Sequence, residues 1–312
     1  MSERKMYQKM QLRHAVGLAA PHSFAASLCP AIFGLLYAKL RYGTSISWKW
    51  LTLPAACVLL QSAVNTLNDY MDFKKGTDSK SDSLEESDAV LLYGGIDPAS
   101  AKKLGMIYLF SGVLLGLVSA FPSPLPAILI GLLGVAVILM YSGGPCPISY
   151  LPAGEAVSGF VMGGLIPMGV TAALLASIHA ETLFYAVPLM LGIALIMLCN
   201  NGSDLEKDRE AGRRTLPVLL GRERIPALYQ TGCILWLLSI PLFAVTLTGY
   251  FGLLSVLFLL LVKDAILAIF RNLPDREGRI LAMQSISRAD FLVNGAYLLT
   301  ILCYLMRRAF CG

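Results

Sequence analysis

The amino-acid sequence predicts an all-α, polytopic membrane protein, a bundle of about nine transmembrane helices. Three observations carry that prediction. Apolar residues make up 56% of the 312 and charged residues only 14%, where soluble domains carry about 25% charged residues. The apolar residues gather in runs of about 20, the length that crosses a ~30 Å hydrocarbon core at ~1.5 Å per residue. Lys and Arg are shared unequally between alternate loops. So few charges would not cover the surface of a soluble protein of this size, which excludes an ordinary cytosolic enzyme, a disordered chain and a secreted disulfide scaffold.

Taken in order, the expected spans lie near 22–40, 51–70, 104–121, 124–142, 153–176, 182–200, 228–247, 250–270 and 289–307. A basic stretch precedes Ala15 without a small-residue cleavage site behind a short apolar core, so a retained first helix is expected rather than a signal peptide. With the N-terminus in the cytoplasm, inside loops hold 19 Lys and Arg and outside loops hold 5, namely Lys39, Arg41, Lys49, Arg307 and Arg308. Cytoplasmic loops carry such an excess, so the N-terminus is expected inside and the C-terminus outside, with the bilayer as partner. The net charge of +5 then reflects topology and not nucleic-acid binding. Gly112/Gly116 and Gly159/Gly163, each pair four residues apart, mark close helix contacts. The seven cysteines form no CxxC pair and read as small buried hydrophobes. The three histidines are isolated, which argues against a zinc site. Residues 1–312 form one domain.

Two inside loops begin with carboxylates at the end of an apolar helix. One reads Asn68-Asp69-Tyr70-Met71-Asp72-Phe73-Lys74-Lys75-Gly76-Thr77-Asp78, and the other runs from Asn200-Asn201-Gly202-Ser203-Asp204 through Asp208 and Arg209 to Arg213-Arg214-Thr215. In helical register Asn68 and Asp72 share a face, as do Asn200, Asp204 and Asp208; Asp69, three before Asp72, can join it. A carboxylate near hydrocarbon costs a few kcal/mol unless it is paired or binds a cation. Oxygen-rich clusters of this kind suit Mg²⁺, which takes one or two carboxylates, keeps waters and bridges substrate phosphates. Lys74, Lys75, Lys207, Arg209, Arg213 and Arg214 are at hand for the remaining phosphate charge. A prenyl diphosphate, with a lipid-soluble chain and an anionic head, fits such a boundary. With Mg²⁺ on the diphosphate, the leaving group departs without protonation.

The motifs NDYMDFKKGTD and NNGSDLEKDREAGRRTLPVLLG, together with nine spans, resemble the UbiA superfamily of intramembrane prenyltransferases over nearly the whole chain. Three features are similar to its menaquinone branch, which prenylates 1,4-dihydroxy-2-naphthoate: the NDYxDxxxGxD form of the first motif, Tyr141-Ser142-Gly143-Gly144-Pro145-Cys146-Pro147-Ile148-Ser149-Tyr150 followed by Gly154-Glu155, and Pro21-His22-Ser23. The resemblance implies a helical bundle with an active-site cavity facing the cytoplasm. It implies Mg²⁺-dependent transfer of a polyprenyl group to 1,4-dihydroxy-2-naphthoate with loss of the ring carboxyl, giving demethylmenaquinone. Asn68, Asp72, Asp204 and Asp208 would hold Mg²⁺ and diphosphate, the three aspartates being catalytic. Asn200, Lys75, Arg209, Arg213 and Asp78 would belong to the substrate site. Tyr141 would face the reacting carbon or serve as an interfacial anchor, and Glu155 would orient the acceptor or cap a loop.

The chain departs from the superfamily pattern in two places. Gly76 stands where many members carry a third Asp, and the loop Asp88 to Ile96 lacks a basic residue found in many relatives. Lys263 and Asp264 are expected to neutralise each other within the membrane. Two other readings stay open: the same chemistry on 4-hydroxybenzoate or a non-aromatic acceptor, and a transporter. Transporters place such charges at the midplane on broken helices, whereas here they sit at helix ends on one side. A lipid-binding scaffold would not need two metal-ready clusters.

Overall fold

The computed structural model describes residues 7–75, 90–142 and 147–311. Gly76, Asp78 and the first two residues of the loop expected to lack a basic residue, Asp88 and Ala89, lie outside them. α1 (Leu12–Ala19) and α2 (Ala25–Tyr42) meet at a bend of 61°, made where Ala20 takes a left-handed conformation (φ 50°) ahead of Pro21. Gly43, also left-handed, closes α2. Then follow α3 (Lys49–Lys75), α4 (Val90–Gly94), α5 (Pro98–Ala120) and α6 (Leu125–Ser142). The Asp97 side chain starts α5 by accepting from the Ala99 N–H at 3.1 Å, one of the donors a helix start leaves unpaired. α7 (Gly154–Ser158) continues through π-helical turns at Gly159–Leu165 into α8 (Ile166–Leu175), followed by α9 (Glu181–Tyr185), α10 (Val187–Ser203), α11 (Leu205–Glu210) and α12 (Leu216–Leu220). α13 (Ile225–Thr248), α14 (Leu254–Leu261), α15 (Lys263–Arg271) and α16 (Arg279–Cys311) complete the bundle. No named strand occurs among the described residues; a single bridge pairs Gln8 with Ile96.

Each expected apolar run falls on helix, but the count of nine spans does not follow from length and apolarity alone. Among the described residues five helices meet both conditions, or six with the bent α1–α2 pair taken as one span. Residues 125–137 and 187–203 are apolar but short. The helical stretch 222–261 qualifies as one unit, yet it folds back on itself. Gly249 has φ 65°, and a Cβ on Gly252 would stand 2.3 Å from the Ala244 and Val245 backbone. Eight residues along a straight helix would separate those groups by about 12 Å.

Three of the four paired glycines mark close contacts; Gly116 does not, since a Cβ there would lie an ordinary 3.9 Å from Ala56. A Cβ on Gly112 would lie 2.9 Å from Leu60 of α3, and one on Gly159 or Gly163 would lie 2.5 Å from the Met190 backbone of α10. The central core joins α2, α10, α13 and α16 through Phe33, Tyr37, Tyr229, Trp236 and Tyr297. Large apolar side chains on α5, α6, α13 and α14, among them Phe110, Leu132, Leu238 and Leu260, point outward, as lipid contact requires. One polar group is sunk in that core: Asn294 donates to Asp290 at 2.8 Å and accepts from the Trp236 Nε1–H at 3.4 Å. Gly192 makes room for it, since a Cβ there would stand 2.3 Å from Asp290. Lys263 and Asp264 are both exposed at the start of α15, and no ion pair joins them among the described residues. Adjacent helical positions point about 100° apart, so the expected mutual neutralisation does not form.

Candidate functional site

The first motif ends α3. Thr66 donates to the Leu18 carbonyl at 3.0 Å, and Asn65 donates to Ala19 O at 2.9 Å and Ser23 Oγ at 2.8 Å. These bonds take up carbonyls that the bend after α1 leaves without helical partners, and they bind the bend to α3. Between the two lies a cavity of about 170 Å³ lined by His22, Ser23, Asn65, Asn68, Asp69 and Asp72, with Gly17, Leu18 and Ala20. Asn68 and Asp72 therefore share a wall, as their spacing predicts. Asp69 lines the cavity too, but its Oδ2 accepts from the backbone N–H groups of Val90 at 2.9 Å and Leu91 at 3.4 Å, which ties it to the first turn of α4. The Lys75 side chain lies outside the described residues.

The second motif straddles the junction of α10 and α11. The Asp204 N–H bonds Asn200 O at 3.0 Å and the Asp208 N–H bonds Asp204 O at 2.8 Å, so the four-residue register runs on through the junction and keeps all three on one face. Arginines from other elements meet them. Arg279, the first residue of α16, gives Nε to Asp204 Oδ1 at 3.0 Å and Nη2 to Asn200 Oδ1 at 2.8 Å. Arg213 gives Nη1 to Asp208 Oδ1 at 3.1 Å, and Thr215 donates to Asp208 Oδ2 at 3.4 Å. Burial pushes the Asp208 carboxyl above the ordinary Asp value, Arg213 pulls it back, and neighbouring Asp204 raises it again. Arg213 lies over the Tyr150 ring at 5.1 Å, and besides Asp208 it feels the charge of Asp72 weakly. Arg222 braces the same end by donating to Glu206 Oε1 at 3.1 Å, Gly202 O at 2.6 Å and Pro274 O at 3.3 Å, and it holds the Glu206 carboxyl below the ordinary Glu value. Arg209 is exposed.

On the α6–α7 side, the Tyr141 hydroxyl is 3.6 Å from where a Gly154 Cβ would be. It bonds Ser158 and feels Glu155, Asp208 and Arg213. Glu155 is 5% exposed; its Oε1 accepts from Asn201 at 2.9 Å, and its Oε2 is buried without a hydrogen-bond partner. Tyr141 and Glu155 therefore stand beside the second motif.

Sequence reasoning missed Arg279, which lies 75 positions from its partner Asp204 in no recognisable motif. No local signal singles it out, because it is one of four basic residues in the loop ahead of the last expected span, 289–307. It also missed Asn201 as the partner of Glu155 and Asn65 as the tie that shapes the cavity.

The donor set suits Mg²⁺. Both motifs offer carboxylate and carboxamide oxygens only, and Mg²⁺ takes one or two protein carboxylates before filling its shell with phosphate oxygens and water. Among the described residues no three His, Cys, Asp or Glu side chains form a metal-holding group.

The family model described as the UbiA prenyltransferase family matches residues 27–286. The 1,4-dihydroxy-2-naphthoate octaprenyltransferase of Bacillus subtilis (strain 168) is 31% identical over 206 residues, covering 66% of this chain and 65% of that protein. The UbiA prenyltransferase domain-containing protein 1 of Homo sapiens is 30% identical over 214 residues, covering 68% and 62%. The chain thus spans somewhat less than two thirds of these relatives. A solved structure of a UbiA homolog from Archaeoglobus fulgidus bound to DMAPP and Mg²⁺ superposes with a TM-score of 0.61 at 15% identity, over 94% of this chain and 99% of that one. The apo UbiA homolog from Aeropyrum pernix K1 gives 0.62 at 18% identity, over 93% and 98%.

Proposed function

The chain belongs to the UbiA prenyltransferase family, and on that premise we propose that it transfers a polyprenyl group from a prenyl diphosphate to 1,4-dihydroxy-2-naphthoate, with Mg²⁺ and with loss of the ring carboxyl, giving demethylmenaquinone. The observation that carries this reading is the pair of Asn/Asp motifs at helix ends, Asn68 with Asp72 on one cavity wall and Asp204 with Asp208 each held by an arginine. The likeness to the Bacillus subtilis octaprenyltransferase supports the choice of acceptor.

Asn68 and Asp72 on the α3 side, with Asp204 and Asp208 on the α10–α11 side, are the oxygen donors that would hold Mg²⁺ and the diphosphate head between them. Bound there, Mg²⁺ neutralises charge on the departing diphosphate. Asn200 supports the second set. Lys75, Arg209 and Arg213 bind phosphate oxygens by charge-assisted hydrogen bonds, and Asp78, by its place in the first motif, is assigned to substrate binding. The Tyr141 ring faces the reacting carbon, where an aromatic surface favours positive charge. Glu155 orients the acceptor. The charge asymmetry of the loops puts these motifs and the N-terminus in the cytoplasm and the C-terminus outside.

Purified protein with Mg²⁺ and a long-chain prenyl diphosphate, offered 1,4-dihydroxy-2-naphthoate and 4-hydroxybenzoate together, tests this by product mass. A prenylated naphthoquinone lacking the carboxyl is expected. A prenylated hydroxybenzoate would keep the chemistry and change the acceptor, and transfer that persists under chelation would end the Mg²⁺ assignment. A transport function finds no support in carboxylates held at helix ends.

A further inference from the structure

We infer that Arg279 makes divalent-metal and diphosphate binding at the α10 end interdependent. Its guanidinium occupies the Asn200–Asp204 oxygens as a built-in cation, opposes a bare metal ion there, and favours the ion only when a diphosphate brings its negative charge. This rests on the reading of the two motifs as a metal–diphosphate site.

The geometry comes first. The Arg279 fork takes one oxygen from each of two neighbouring positions on the ligand face, at 3.0 Å to Asp204 and 2.8 Å to Asn200. The residue is 7% exposed, so its charge is poorly screened. A guanidinium is effectively always protonated, so it cannot give up its charge to admit a metal.

Its position is otherwise unfavourable. Arg279 opens α16, and the N-terminal end of a helix carries partial positive charge that repels cations. What compensates it is the Asp204 carboxylate. The loop that delivers it is pinned to the same motif: Arg222 joins Gly202 O to Pro274 O, and a Cβ on Gly202 would lie 3.0 Å from Pro274. The guanidinium therefore has little room to withdraw as a ligand enters.

The charge count completes the argument. Before any ligand binds, Asp204 faces Arg279 and Asp208 faces Arg213, so this end is already neutral pair by pair. A divalent ion arriving alone would crowd two fixed cations. The same ion arriving with a prenyl diphosphate brings no net positive charge, and both arginines then face phosphate oxygens.

The test uses the full-length protein in detergent, Mn²⁺ as the metal, and an unreactive prenyl thiodiphosphate, with Mn²⁺ affinity read by electron paramagnetic resonance. In the unaltered protein the thiodiphosphate is expected to tighten Mn²⁺ binding by about 100-fold, the upper range of such couplings. In Arg279→Gln, Mn²⁺ alone should bind about 10-fold tighter and the coupling should drop to about 5-fold. Arg279→Lys, which keeps the charge and loses the fork, should keep most of the coupling. Unchanged coupling in a folded Arg279→Gln protein overturns the inference, as does its loss in Arg279→Lys, and in both cases the metal–diphosphate reading survives. No effect of thiodiphosphate on Mn²⁺ in the unaltered protein would remove that reading as well.

Discussion

The ends of α3 and α10 carry the same residue types at the same spacing, Asn four residues before Asp, yet the protein treats them differently. At the α3 end Asn68 and Asp72 line an open cavity shaped by carboxamides, a hydroxyl and an imidazole. At the α10 end Asn200, Asp204 and Asp208 are already engaged by Arg279 and Arg213, and Arg222 clamps the backbone behind them. The first end therefore lines a cavity, and the second is a surface whose carboxylates are taken up by arginines. The identical local pattern does not reveal this, because the arginines come from elements remote in sequence.

Turnover should not distinguish the two ends. Asp72→Asn and Asp208→Asn are each expected to lower it on the order of 10³-fold, as losing electrostatic stabilisation of a leaving anion does, while the protein still inserts. Full activity in either variant, measured by product formation, would remove that residue from the site.

Stability should separate them. Asp204→Leu strands a buried guanidinium and is expected to cost about 3 kcal/mol, the range for breaking a buried pair. Asp72→Leu, at a half-buried cavity wall, should cost less than half as much. Denaturant unfolding of the metal-free protein checks this, and equal costs would erase the contrast.

Arg213 pairs with Asp208, so its loss should appear in the pH profile. Burial already raises the Asp208 carboxyl and Arg213 opposes that rise. Because the folded-state value is raised, proton uptake by Asp208 favours the fold as pH falls, while binding needs the ionised form. Arg213→Gln should therefore move the acid limb of diphosphate binding to higher pH and weaken binding about 10-fold at neutral pH, one charge-assisted contact's worth. An acid limb that stays in place would show that Asp208 does not control binding.

The smallest effect belongs to the brace. Glu206, held below its ordinary value by Arg222, contributes stability that is present above the unfolded Glu range near pH 4.5 and lost as pH falls through the lowered value. Both side chains are about a third exposed, so Glu206→Gln should cost under about 1 kcal/mol. Thermal melting at pH 7 and below pH 4 should show that difference vanish in acid.

The sequence by itself determined the solvent, the helices and the acidic half of the candidate site. Runs of apolar residues have no stable alternative in lipid but helix, because every backbone N–H and C=O must be satisfied within the segment. Asn68, Asp72, Asn200, Asp204 and Asp208 were legible because a helix turns four-residue spacing into a shared face. Glycine spacing likewise foretold the contacts of α5 with α3 and of the α7–α8 span with α10. Tertiary structure alone decided the rest. The fold-back at Gly249, the capping of α4 by Asp69 and the arrival of Arg279 at Asp204 all depend on where helices end relative to one another. Helix periodicity encodes which side chains share a face of one segment. Which charge from another segment meets that face is set by packing, and packing leaves no local pattern to read.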